Sequence, residues 1–153
     1  MRKIALVAIA AAAAVATPAQ ANEGRVEARG GIAWAGGAEE AIAGVAAGYD
    51  FDLGSTEDGG AFFGVEASAD KILAGGTDVV WGLTGRVGVN VGTGGKLFAA
   101  GGYTFGDGED APHLGAGYEH GIGESAYVKV EYRRFFSDFV DINTAAVGVG
   151  MRF

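Results

Sequence analysis

Alternation at the carboxyl end narrows the fold of this chain more than any other feature. From Ile142 to Phe153, the residues Ala145, Val147, Val149, Met151 and Phe153 fall on one face, and Thr144, Ala146, Gly148, Gly150 and Arg152 on the other. A period of two describes a strand with one apolar face and one small or polar face. The same pattern recurs in seven earlier segments, roughly 25–36, 41–53, 61–70, 79–91, 96–106, 112–120 and 125–136, divided by Gly, Asp, Ser and Asn. Each approaches the roughly ten residues that a tilted strand needs to cross a bilayer.

The two faces differ in chemistry. One carries Val, Ala, Leu, Ile and Gly, and no charged residue is expected on it. Its aromatic residues sort by height once both termini are placed on the same side. Trp34, Trp81, Tyr103, Phe105 and Tyr132 fall near one end, and Tyr49, Phe51, Phe63, Tyr118 and Phe153 near the other. Two aromatic girdles around an aliphatic belt are the pattern of a membrane-spanning barrel. The reverse arrangement, a soluble lipocalin-like binding barrel of the periplasm, needs an apolar interior and has no reason to sort its aromatics. The expected fold is all-β, an eight-stranded antiparallel up-and-down transmembrane barrel. Its outer loops are expected at 37–40, 71–78, 107–111 and 137–141, and its inner turns at 54–60, 92–95 and 121–124.

Before this domain, Arg2 and Lys3 precede an apolar run from Ile4 to Val15, then Pro18 and Ala19-Gln20-Ala21. That is a secretory signal peptide over 1–21 with an A-x-A cleavage site, too short to span a bilayer, and it leaves a barrel domain over 22–153. Loss of Arg2 and Lys3 takes the formal charge from −8 to −10. Such acidity offers no basic patch for nucleic acid. Without cysteine the chain has no disulfide framework, no lipoprotein anchor and no thiolate metal site.

The polar face would line the lumen. Glu27, Asp50, Glu66, Glu119 and Glu131 meet Arg29, Arg86, Lys129, Arg133 and Arg152 there, with Phe62, Phe98 and Tyr127 as large apolar exceptions. Eight strands enclose just enough room for side chains, so these charges are expected to pair as a polar core, with Glu66 and Arg86 compensating each other from neighbouring strands. A second reading is a narrow, low-conductance porin for ions or small solutes. The small inward residues Gly31, Ala46, Gly48, Gly64, Gly82, Gly88, Gly102, Gly117, Gly148 and Gly150 would then leave space for water.

Catalytic chemistry finds little support. His113, expected at the outer rim of the lumen, has only Ser137 as a nearby hydroxyl candidate, and His120 falls at an inner turn. The acidic loop from Asp107 to Asp110 lacks the ligand spacing of a calcium loop. No enzyme activity, cofactor or metal is expected.

The run from Gly115 to Arg133 contains Gly115-Ala-Gly-Tyr-Glu119, a short turn, and Val128-Lys-Val-Glu-Tyr-Arg133. The closing strand reads Val147-Gly-Val-Gly-Met-Arg-Phe153. These motifs resemble the penultimate hairpin and closing strand of the small outer-membrane barrels that include opacity-type porins and the transmembrane domain of outer-membrane protein A. The resemblance is specific over roughly the last forty residues and follows the whole barrel domain in layout. It implies insertion into the bacterial outer membrane by the assembly machinery, which recognises the terminal strand. The expected partners are that machinery, outer-membrane lipids and lipopolysaccharide, with the barrel a monomer. The expected role is envelope-structural or surface interaction. Short outer loops and the absence of a wall-binding domain from these residues set the chain apart from the long-loop adhesins and larger relatives.

Overall fold

The computed structural model describes residues 22–56, 59–106 and 110–153. The expected signal peptide, residues 1–21, lies outside them. Eight strands follow in chain order: β1 (Glu23–Ala35), β2 (Ala38–Thr56), β3 (Gly59–Ile72), β4 (Val79–Val91), β5 (Gly95–Phe105), β6 (Ala111–Ile122), β7 (Ala126–Phe135) and β8 (Ile142–Arg152). Each pairs antiparallel with the next, and β8 returns to β1, so the sheet closes on itself. Closure leaves no strand edge, which is the condition for putting a sheet into hydrocarbon. Reciprocal backbone hydrogen bonds of 2.9 Å between Gly24 and Phe153 complete the β1–β8 seam at its inner end.

The register sets the shape. Following paired residues once around the barrel leads from Gly24 through Tyr49, Val65, Gly85, Gly101, Leu114, Arg134 and Asn143 to Trp34. The circuit returns ten residues further along β1. That stagger on eight strands corresponds to a tilt of roughly 40°.

Several boundaries differ from the sequence expectation, for local reasons. The first outer loop shrinks from 37–40 to Gly36 and Gly37, with φ of 56° and 91°. Two successive residues of positive φ form the two-residue hairpin that matches strand twist. β2 therefore begins at Ala38, and Glu39 and Glu40 sit on the strand. The last inner turn moves from 121–124 to 123–125, because Gly121 and Ile122 still pair with Tyr127 and Ala126. His120 is likewise a strand residue, opposite Gly95 and Val128. Charge does reach the outward face, contrary to expectation: Glu39 and Lys71 lie on the added strand length and Arg134 within the segment 125–136, all three in that register at the outer end.

Burial is inverted relative to a soluble protein. Outward-facing Val45, Leu83, Val87, Val149 and Leu114 are 57–62 % exposed, while Arg25, Glu66, Lys129 and Glu119 are buried inside. The interior is ionic and the exterior apolar, which excludes the lipocalin-like alternative. The girdle residues all point outward. Trp34 and Tyr132 lie 6.1 Å apart at the outer end, and Tyr49, Phe51 and Phe63 form a continuous row at the inner end with centroid separations of 4.9 and 4.6 Å.

The inward glycines do not leave space for water. A Cβ at Gly150 would lie 2.3 Å from the Tyr127 ring, one at Gly117 2.5 Å from Phe98, and one at Gly48 2.7 Å from the Arg25 guanidinium. Each glycine is the seat of a large side chain from an adjacent strand. Gly150→Ala should therefore destabilise the barrel by about 1–3 kcal/mol through overpacking. Gly30→Ala faces outward, where the nearest atom is 3.6 Å away, and should be neutral or mildly stabilising. Urea unfolding in lipid vesicles measures both, and equal effects would show that the lumen yields around Tyr127.

Candidate functional site: a sealed ionic lumen beneath an outer vestibule

Alternation sends one side chain in two into the lumen, and the tilt brings charges from distant strands together. At the inner mouth, Lys96 of β5 reaches Glu23 at 2.6 Å and Asp50 at 3.2 Å, and Arg152 of β8 lies 3.6 Å from Glu23. Deeper, Arg86 grips Asp50 through Nε at 2.8 Å and also through Nη2, while Nη1 donates to Glu119 at 3.1 Å. Its guanidinium carbon lies 5.2 and 5.0 Å from the ring centres of Phe62 and Phe98. These two aromatic exceptions to the polar face thus clasp a cation, an arrangement that gains strength when desolvated.

Glu66 is the hub. It receives Arg25 at 2.7 Å, Arg133 at 2.6 Å and Arg29 at 3.1 Å, with the Lys129 ammonium at 3.7 Å. Lys129 in turn binds Glu27 at 2.8 Å and Glu131 at 2.9 Å, and the Tyr127 hydroxyl donates to Glu27 at 3.2 Å. Arg133 donates to Glu131 at 2.5 Å. On the outer side, Arg29 makes a fork to Asp70, at 2.7 Å from Nε and 2.5 Å from Nη2. Bidentate geometry of this kind makes the strongest charge-assisted hydrogen bonds.

The ten lumen residues named from the sequence therefore all take part in one connected set, with two corrections. Glu66 and Arg86 do not pair. Glu66 stands opposite Thr84 and Arg86 opposite Gly64, so Arg86 turns toward Asp50 and Glu119 instead. The set also includes Arg25, Glu23, Asp70 and Lys96. Arg25 and Asp70 share the parity of the named charges on β1 and β3, Lys96 is the first residue of the segment 96–106, and Glu23 lies two residues before the segment 25–36.

His113 is not at the rim. It is 1 % exposed, with Nε2 2.9 Å from the Thr84 hydroxyl and Nδ1 3.0 Å from that of Thr104. Its ring also packs on Phe135 at 5.3 Å. Ser137 lies in the β7–β8 connection, its hydroxyl accepting the Phe139 amide. No group of three or more potential metal ligands occurs among the described residues. The Asp107–Asp110 loop lies largely outside them.

Above Arg29, Asp70, Glu131 and Arg133 the lumen opens into a cavity of about 230 Å³. Its walls are mainly apolar, with Ala33, Ile42, Ile72, Val80, Phe135 and Ile142, and also include Thr104, Ser137, Thr144 and the outward-register residue Lys71. Alternation extended one step holds the signal for them. Ile72 follows Asp70 by two, Phe135 follows Arg133, and Ile42, Val80 and Ile142 precede Gly44, Gly82 and Thr144 by two. The inward face changes from ionic to aliphatic toward its outer end.

A closed antiparallel barrel with an apolar exterior, aromatic girdles and a neutralised ionic lumen is an integral outer-membrane protein by architecture. The chain belongs to the family described as outer membrane protein beta-barrel domain, whose model matches residues 5–153. No curated protein sequence matches it. Solved structures share the fold at low identity. The N-terminal β-barrel domain of Pseudomonas aeruginosa OprF is 15 % identical, with 84 % of this chain and 97 % of that one covered, at a TM-score of 0.60. Ail of Yersinia pestis, solved with the heparin analogue sucrose octasulfate, is 12 % identical over 86 % and 97 %, at 0.56. The outer membrane enzyme PagL is 15 % identical over 82 % and 97 %, at 0.53.

Removing the hub charge should cost far more than removing a surface one. Glu66→Gln leaves several buried cations undercompensated and should destabilise the barrel by about 3–5 kcal/mol. Arg134→Gln, which breaks an exposed pair with Asp141 at 2.6 Å, should change little. In double-mutant cycles, Glu66 should couple to Arg133 more strongly than to Arg86. The opposite ranking would place the hub elsewhere.

Proposed function

We propose that this barrel serves the outer membrane as a closed structural and surface-interaction protein, not as a pore. The observation that carries the reading is the ionic layer. Arg25, Glu119, Lys129 and Tyr127 are each at most 1 % exposed; Arg25 pairs with Glu66, Glu119 with Arg86, Lys129 with Glu27 and Glu131, and the Tyr127 hydroxyl donates to Glu27. Opening a water path there requires separating several buried ion pairs at once, each costing several kcal/mol when left single. The narrow-porin alternative relied on glycine-lined space, and Gly48, Gly64, Gly88, Gly117, Gly148 and Gly150 seat side chains instead.

A non-enzymatic role has its own support. Both ring nitrogens of His113 engage threonine hydroxyls, with no carboxylate to orient the ring as an acid–base group requires. Surface interaction draws support from the outer connections, where Phe139 is 87 % exposed and Leu73 and Val140 are also exposed. The export signal over 1–21, recognition of β8 by the assembly machinery, contact with lipopolysaccharide and a monomeric state complete the proposal. Lys71 and Arg134, facing outward above the upper aromatics, are the cations placed to meet lipid phosphates.

Planar-bilayer recording of the refolded mature chain tests the central point. The expected result is no current steps above lipid leak at any voltage. Reproducible steps that disappear on boiling the protein would establish a channel.

A further inference from the structure

The ionic layer fills the middle of the lumen, yet the cavity above it is walled by aliphatic and aromatic side chains that nothing in the chain covers among the described residues. We propose that this vestibule is a binding site for a small organic cation: an ammonium group carried on an aliphatic or aromatic body. The proposal requires only the vestibule above the ionic layer, so conductance does not bear on it.

Size and walls define the body. A dry apolar cavity of about 150 Å³ accommodates benzene, so about 230 Å³ suits a molecule somewhat larger. Ile42, Ile72, Val80, Phe135 and Ile142 offer it no hydrogen bonds, and the hydroxyls of Thr104 and Ser137 are engaged by His113 and by the Phe139 amide. Apolar contact is therefore what the upper walls supply.

The floor defines the sign of the head group. Of its charged side chains, Asp70 is 23 % exposed, whereas Arg29 and Arg133 are 6 % and Glu131 2 %. A ligand entering from outside meets the Asp70 carboxylate before any guanidinium. Asp70 accepts from Arg29 Nε and Nη2 and from the Ser68 hydroxyl. A carboxylate offers about four lone-pair sites, which leaves room for one further donor on its exposed side. An ammonium supplies that donor, and low-dielectric walls strengthen the attraction.

The mouth agrees with the floor. Glu39, Glu40, Asp78, Asp110, Asp138 and Asp141 stand at the outer end among the described residues, against Lys71 and Arg134. Both bases belong to the outward register, Lys71 opposite Ala43 and Val79 and Arg134 opposite Leu114, as does Glu39 opposite Trp34, and Asp141 is paired with Arg134, so the rim proper is Glu40, Asp78, Asp110 and Asp138. An acidic rim over an apolar cleft raises the local concentration of cations and repels anions. A divalent metal is a poorer match, since calcium takes six or more oxygen ligands and the floor exposes one carboxylate.

Three probes of equal chain length separate the contributions: hexylammonium, hexanol and hexanoate. Each is titrated into the labelled mature barrel in phosphatidylcholine nanodiscs. Amide shifts of Thr104, Thr144 and Ile142 report binding, and protein-free discs correct for partition into lipid. Hexylammonium should bind saturably and at least tenfold more tightly than hexanoate, with hexanol between them. Asp70→Asn should remove the preference for hexylammonium over hexanol, and Val80→Trp, which fills the cavity, should abolish binding of all three. Gel mobility with and without boiling verifies that each variant is folded. Should Asp70→Asn fail to fold, the charge series on the unaltered barrel and the Val80→Trp variant still decide. Hexanoate binding as well as hexylammonium, an undiminished preference in Asp70→Asn, undiminished binding in Val80→Trp, or no hexylammonium uptake beyond protein-free discs would each overturn the proposal.

Discussion

Neutralisation of Glu66 is the interaction on which the rest of the barrel depends. A single carboxylate, buried in a space too narrow for bulk water, is surrounded by cations from β1 and β7. Each of those cations needs a further anion, and the requirement propagates to Asp50, Asp70, Glu27 and Glu131. The lumen is therefore neither a greasy core nor an aqueous duct. It is an ionic solid in miniature, held because every charge lies within a few ångströms of its opposite. Hydrocarbon outside supplies no comparable directional force, so packing specificity resides within.

Backbone and side chain solve a joint volume problem. A small barrel has room for arginine and tyrosine only if some neighbouring positions have no side chain. Gly48 accommodates Arg25, Gly117 accommodates Phe98, and Gly150 accommodates Tyr127. The abundance of glycine in this chain thus reflects occupancy and not emptiness, and it explains how so many long side chains fit in one eight-stranded lumen.

Much of this was legible in advance, because alternation, parity and aromatic height are local properties of sequence. The strands, the closing of β8 and the inward charges follow from reading every second residue. Pairing partners were not legible. Which acid meets Arg86 depends on the ten-residue stagger and on the reach of a guanidinium across two strands, and neither is written in one segment. The vestibule was missed for a different reason. Reading stopped at the charged residues, so Ile42, Ile72, Val80, Phe135 and Ile142, one step beyond, were assigned to no face. His113 was set too high because its partner Thr84 comes from β4, two strands away, a neighbour that the alternation of one segment does not reveal.

The β1–β8 seam carries a consequence for the order of events during assembly. Glu27 lies on the first strand, while its partners Tyr127 and Lys129 lie on the seventh, a hundred or so positions later. A nascent sheet lacking its last strands would expose Glu27 and Glu66 without the Lys129 and Arg133 cations that compensate them. Lipid penalises that exposure heavily, and non-local contacts of this span form late. Membrane entry and ring closure are thereby tied into one step, with electrostatics acting as the latch that admits only the complete cylinder.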